Sequence, residues 1–165
     1  MPSLIPCLAL ISVCLCIHAA ECQSPAQNGS LNVGSDSLEV QGAEEAFIEA
    51  FKNLDWERFR HSFSDDATVF FPFQNVPRRA NGGEEIQASF KPLFDEGRKR
   101  KPNPPYLSIE PKDVKIQMLG NTGVVTFHLG EDDSGYVGRR TVVFQKQRGK
   151  WLIMHLHAST IVTPK

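Results

Sequence analysis

A two-residue turn near the end of the chain constrains the fold more than any other feature of the sequence. Arg148-Gly149 separates two segments, 139–147 and 151–162, that are rich in β-branched and aromatic residues. Glycine supplies the positive φ that a tight hairpin turn requires, so this spacing predicts two long antiparallel strands. In that register Gln147 faces Lys150, and the pairing continues outward from the turn.

The register predicts which side chains share a face of the sheet. Arg140 lies opposite His157, and Val142 lies opposite His155. Because side chains alternate across a strand, Arg140 and both histidines fall on one face, which we expect to line a cavity. The other face needs a partner chain to cover it, and its apolar residues are Leu152, Met154 and Leu156. A β-bulge in either strand would reverse this assignment.

Helical patterns precede most of the strands. Residues 43–53 form one apolar stripe, Asp55 is the expected N-cap of a short second helix, and residues 84–95 form a third helix. The remaining strand-like segments are 68–73, 78–80, 106–109, 113–119 and 124–129. Helices followed by an antiparallel meander predict an α+β fold, with three N-terminal helices packed on one face of a curved antiparallel sheet.

The beginning of the chain is interpreted as an export signal. Residues 1–20 are almost wholly apolar from Leu4 onward and end in Ala19-Ala20, which suits a signal peptidase. The first basic residue is Lys52, so a membrane anchor that is not cleaved remains the alternative. Cleavage implies a secreted or periplasmic protein without stable membrane insertion. Residues 21–40 are predicted to be a disordered linker, and residues 41–165 the folded domain.

Charge and cysteine content narrow the functional classes. The 165 residues contain 18 Lys and Arg against 19 Asp and Glu, which argues against a nucleic-acid-binding protein. The 4 cysteines all lie at or before Cys22, so the domain has neither a disulfide framework nor a cysteine-based zinc site. A histidine-based metal site is not expected either, because His128 lies two strands from His155 and His157, about 9–10 Å away.

Several short motifs resemble one superfamily. Gly149-Lys150-Trp151 followed by His155 to Ser159 resembles the end of the SnoaL-like branch of the nuclear transport factor 2-like (NTF2-like) superfamily. It is equally similar to the association domain of calcium/calmodulin-dependent kinase II. Further similarities over about 40–163 lie in 53–57, 66–69, 82–86 and 119–125. The resemblance implies a cone-shaped fold that encloses a pocket and a homodimer formed through the outer face of the sheet.

Two functions remain open at this stage. The first is a secreted module that binds a small, partly apolar ligand, such as a carboxylate held by Arg140, without cofactor or metal. Its predicted cavity is lined by Arg140, His155, His157, Trp56 and Phe71. The second is a small enzyme of the ketosteroid isomerase or SnoaL cyclase type, with His157 or His155 as acid and base. The first is favoured, because no Asp or Glu lies mid-strand on the predicted pocket face.

Each candidate also has a structural interpretation. The two histidines suit hydrogen-bonded positions in a cavity wall as well as catalysis. Arg140 suits a rim position paired with an acidic side chain, and Trp56 is typical of a core residue as well as of a ligand platform.

Overall fold

Three helices lie against one face of a six-stranded sheet in the computed structural model, which describes residues 29–73, 75–76, 78–130 and 135–162. The helices are α1 (Gly29–Lys52), α2 (Trp56–Arg60) and α3 (Gly82–Lys99). The strands are β1 (Phe63–Phe70), β2 (Ala80–Asn81), β3 (Lys112–Leu119), β4 (Thr122–Leu129), β5 (Tyr136–Gln147) and β6 (Lys150–Val162). None of the helices in these ranges is long and apolar enough to cross a membrane.

The strand order confirms the α+β fold class. The sheet runs β2-β1-β6-β5-β4-β3, and β3 to β6 form the expected antiparallel meander. One neighbouring pair, β1 and β6, is parallel, with Thr68 opposite His155 and Phe70 opposite His157. The sheet is therefore mixed rather than wholly antiparallel. Local residue patterns do not reveal this pair, because its two strands lie at opposite ends of the domain.

Helix α1 begins earlier than the sequence suggests. Residues 29–40, which the sequence assigns to a linker, are helical in the structure, and tertiary contacts hold this part of the helix at Asp36 and Glu39. Lys146 Nζ lies 2.7 Å from carboxylate oxygens of both Asp36 and Glu39, and Trp151 Nε1 donates to Glu39 Oε2 at 2.9 Å. We call these four residues the charged latch. Residues 1–28 lie outside the described ranges, so the signal peptide stays a prediction.

The short second helix forms as expected, whereas one predicted strand does not. Asp55 caps α2, and its carboxylate accepts a hydrogen bond from Arg58 N at 3.2 Å. Residues 106–109 are not a strand. The amides of Tyr106 and Leu107 instead donate to the carbonyl of Lys52 at 3.1 and 3.0 Å. This segment therefore satisfies the carboxyl end of α1 rather than extending the sheet.

A β-bulge at Met154 makes the predicted register wrong beyond the first half of the hairpin. Phe144 lies opposite Ile153 as expected, but Val143 then lies opposite His155 and leaves Met154 as the extra residue. Arg140 is consequently paired with Ala158 and not with His157. The sulfur of Met154 lies 3.1 Å from Ser64 Oγ and from Gln147 Nε2.

The core lies between the helices and the inner face of the sheet, which is the face that contacts them. Phe59 is 0% exposed and lies at the centre of an aromatic cluster. Its ring stands 4.7 Å from that of Phe90 and 4.8 Å from that of Phe94. Apolar burial of this extent is the main term that stabilises the packing of helices on the sheet.

Candidate functional site

An apolar cavity of about 50 Å³ lies between the helices and the inner face. One probe-sized water needs about 10–15 Å³, so the space suits a few waters or a ligand of a few heavy atoms. Arg140 is the one charged residue among its described lining residues. The other lining residues are Phe47, Ile48, Phe51, Phe59, Val69, Phe71, Pro72, Phe73, Phe90, Leu93, Phe127, Leu129, Leu156 and Ala158.

The guanidinium of Arg140 is anchored at one nitrogen. Nη1 donates to the carbonyls of Arg139 and Ser159, at 2.9 and 3.1 Å. Gly138 leaves room for this arrangement, since a Cβ there would stand 3.1 Å from Nη1. Within the described ranges, Nε and Nη2 have no hydrogen-bond partner and no carboxylate pairs with Arg140. An arginine has five N–H donors, so most of them remain available.

Burial changes the electrostatics of Arg140. Removal from water lowers the pKa of its guanidinium from the usual value. The group nevertheless remains a cation, because arginine is not deprotonated at ordinary pH in proteins. A partly desolvated cation with free donors is stabilised by an anion that reaches it. A planar carboxylate matches the fork of N–H groups.

The structure brings two of the five predicted site residues together. Arg140 and Phe71 both line the cavity, and whether they bind a ligand stays a prediction. Trp56 packs instead in the aromatic core, with its ring 5.4 Å from Phe94 and 6.1 Å from Phe59. The placement of His155 and His157 in this cavity is wrong, because the bulge turns both to the other side of the sheet.

That other side, the outer face, carries Thr68, Phe70, Val124, Thr126, Thr141, Val143, His155 and His157 as cross-strand neighbours. Most of these side chains are half-buried and none is acidic. Leu156, which was expected here, is 5% exposed and lines the cavity. The predicted apolar triple of Leu152, Met154 and Leu156 therefore does not form one patch.

His155 is held by its neighbours on the outer face. Its Nδ1 lies 2.8 Å from Thr68 Oγ1. Burial, followed by the nearby His157 and Arg79, lowers the pKa of His155 and favours the neutral ring near pH 7. Among the described residues, no group of three or more His, Cys, Asp or Glu side chains could hold a metal ion.

Sequence reasoning missed the cavity residues contributed by β4. Phe127 and Leu129 line the cavity and are 2% and 9% exposed. They alternate with Thr126 and His128, which lie on the opposite side of the strand. This two-residue period was visible in the sequence and would have identified them as inward-facing.

Comparison with solved structures places this arrangement among known folds. An NTF2-like protein of unknown function from Pseudomonas putida is 17% identical, with a TM-score of 0.62 over 76% of this chain and 87% of that one. The CaMKII hub from S. rosetta is 24% identical, with a TM-score of 0.59 over 76% and 96%. A ketosteroid isomerase candidate from Parabacteroides distasonis is 21% identical, with a TM-score of 0.57 over 74% and 85%.

Identities at this level establish the fold, which is the NTF2-like cone of helices on a curved sheet. No curated protein matches the chain. The model of the SnoaL-like domain matches residues 40–163, which include the second half of α1 and every strand described above. This chain therefore belongs to the SnoaL-like domain family.

Proposed function

We propose that this SnoaL-like domain binds a small organic acid in the cavity, with Arg140 holding the carboxylate. The observation that supports this proposal is the half-buried guanidinium of Arg140, which has free N–H donors beside apolar walls. A carboxylate would satisfy those donors, and the apolar remainder of the ligand would contact rings such as Phe71 and Phe127.

The size and chemistry of the cavity define the ligand class. A volume of about 50 Å³ limits the ligand to a short aliphatic acid and is too small for a polycyclic substrate in this conformation. The described lining residues include neither a carboxylate nor a histidine. Acid–base chemistry of the isomerase type therefore has no described side chain to perform it at this site, and binding is the function we favour.

Titration calorimetry with butyrate and with the neutral butyramide tests the proposal. We expect butyrate to bind more tightly, and Arg140→Ala to weaken butyrate by roughly 10- to 150-fold, the equivalent of about 1.5–3 kcal/mol for a charged hydrogen bond. Arg139→Ala is the matched control, because that side chain is exposed and bonds to Ser159 Oγ. Equal binding of butyrate and butyramide, or an unchanged Arg140→Ala protein, would contradict carboxylate recognition.

We also propose that two copies associate through the outer face. Its threonine and valine side chains form an uncharged patch on the central strands, which suits a second copy of the same sheet. Two structural neighbours are hub domains, from S. rosetta and from Chlamydomonas reinhardtii. Sedimentation should show a dimer that Val143→Glu converts to monomers, while Val162→Glu, at an exposed strand end, leaves it intact. A wild-type monomer at micromolar concentration would overturn this assignment.

Export is the third part of the proposal. The apolar run from Leu4 and the Ala19-Ala20 site support removal of about the first 20 residues. N-terminal sequencing of the mature protein should therefore begin near Glu21, and a mature chain that retains Met1 would refute cleavage.

A further inference from the structure

Helix α1 carries a carboxyl group that the proposed ligand site does not use. Glu44 is 4% exposed, and its Oε1 has no hydrogen-bond partner among the described residues. Buried carboxyl groups normally have partners, because an isolated charge in the interior is strongly destabilising. Such a group is tolerated when it is protonated and neutral, so its presence links the packing of α1 to pH.

The surroundings of Glu44 offer it no compensating charge. On its own helix the adjacent charge is Glu45, which is exposed. The inward side chains of β3, β4 and β6 opposite the helices are apolar, and include Ile116, Met118, Val125, Phe127 and Ile153. Burial, and then repulsion by Glu45, raise the pKa of Glu44 to about 7.

Cationic and other charged side chains nearby have partners elsewhere or are exposed. On β5, Lys146 is bound to Asp36 and Glu39, and Arg140 donates to two carbonyls. On α2, Glu57 pairs with Arg60, and Arg58 is exposed. None of them is a partner of the Glu44 carboxyl, so ionisation of this group remains uncompensated.

We propose that Glu44 is a protonation switch that controls how tightly α1 packs against the sheet. The neutral acid permits the packed state, whereas the ionised carboxylate favours a state in which the middle of α1 moves outward and reaches water. Phe47, Ile48 and Phe51 follow Glu44 on the same helix and line the cavity. Ionisation therefore loosens one wall of the cavity, whatever ligand the cavity holds.

The charged latch responds to pH in the opposite direction. Hydrogen bonds from Lys146 and Trp151 lower the pKa of Glu39, so this contact is lost as the solution becomes strongly acidic. The Glu44 contribution is present in acid and is lost as pH rises from the ordinary carboxyl value of 4.5 towards about 7. Packing of α1 is consequently tightest in mildly acidic solution.

Hydrogen–deuterium exchange of the full chain tests the switch. After correction for the intrinsic exchange rate, local opening of α1 should increase about tenfold per pH unit between roughly pH 5 and 7 and then level off. Glu44→Gln should abolish this rise. Glu45→Gln is the matched control, since it changes the neighbouring exposed carboxyl and should retain the rise. A pH-independent wild type, or an equal rise in Glu44→Gln, would overturn the proposal.

A measurement on the wild-type protein removes any dependence on the folding of a variant. The ¹³C shift of the Glu44 side-chain carboxyl should titrate with a midpoint near 7. A midpoint near the ordinary value of 4.5 would overturn the switch, while leaving carboxylate binding at Arg140 untouched.

Discussion

The two faces of the sheet are built from the same strands but differ in what they can do. On β4 and β5, Phe127 and Val142 face the helices and are 2% and 0% exposed. Their neighbours Thr126 and Thr141 lie on the outer face and are half-buried. The inner face therefore stabilises the fold and encloses the cavity, whereas the outer face is available for contacts with another molecule.

The bulge at Met154 determines which side chains of β6 lie on each face. Without the bulge at Met154, His155 and His157 would lie inside and Leu156 outside; with it, the positions are exchanged. A two-residue period makes every later position sensitive to one insertion. The chemistry of each face therefore depends on backbone register as much as on composition.

The largest difference in stability is expected between alanine substitutions of two phenylalanines, one on each side of the sheet. Phe59→Ala should lower the free energy of unfolding by about 3–5 kcal/mol, because it removes a fully buried ring at the centre of the core. Phe70→Ala, on the outer face and 39% exposed before mutation, should cost about 1 kcal/mol or less. Urea denaturation of both variants measures the difference, and equal losses would contradict the division into two faces.

The register itself can be tested by neighbouring substitutions in β6. Leu156→Ala should destabilise the protein by about 2–5 kcal/mol, because Leu156 is buried against the cavity. His157→Ala should change stability by about 0.5 kcal/mol or less, because that side chain is exposed. Thermal unfolding at matched protein concentration is the measurement. If His157→Ala lowered stability and Leu156→Ala did not, the register without the bulge would be the correct one.

A smaller effect is expected for the hydrogen bond between β1 and β6 on the outer face. Thr68→Val keeps the shape of the side chain and removes the hydroxyl that lies 2.8 Å from His155 Nδ1. The free energy of unfolding should decrease by about 0.5–1.5 kcal/mol, the net contribution of one such hydrogen bond. Thr126→Val, on the same face and without a hydrogen bond to His155, is the control. A loss of the same size in both variants would assign the effect to β-sheet packing.

The smallest expected effect concerns pH and His155. Its pKa is lowered in the folded state, so the unfolded chain binds a proton more readily as pH falls through 6.5. Stability should therefore decrease on acidification in this range, opposite in sign to the effect of Glu44 on the inner side. His155→Gln should remove this component from a series of urea midpoints at pH 5.5–7.5. An unchanged slope would show that the histidine does not contribute.

Some features of the structure could be predicted from local sequence patterns. The stripe containing Phe47 and Phe51, the Asp55 cap and the Arg148-Gly149 turn each depend on residues close in sequence, and all three appear where they were expected. Arg140 and Phe71 were predicted to share one cavity, and both line it, with Arg140 on the face of β5 that the hairpin register predicts. The register error instead affected His155, Leu156 and His157, which follow the bulge in β6.

The remaining features depend on contacts between distant segments. The charged latch joins Asp36 and Glu39 to Lys146 and Trp151, and it converts a polar segment that resembles a linker into the start of α1. The burial of Glu44 follows from the same docking, since nothing in the adjacent sequence distinguishes it from the exposed Glu45.

Local propensity and period predict the order of helices and strands apart from the segment 106–109, and they also predict the hairpin turn and carry the family resemblance. The parallel β1–β6 pair, the bulge at Met154 and the side of the sheet on which each histidine lies depend on contacts that form only in the folded domain. Local sequence cannot predict these features, because strand pairing and helix docking depend on the total apolar surface that the whole domain buries.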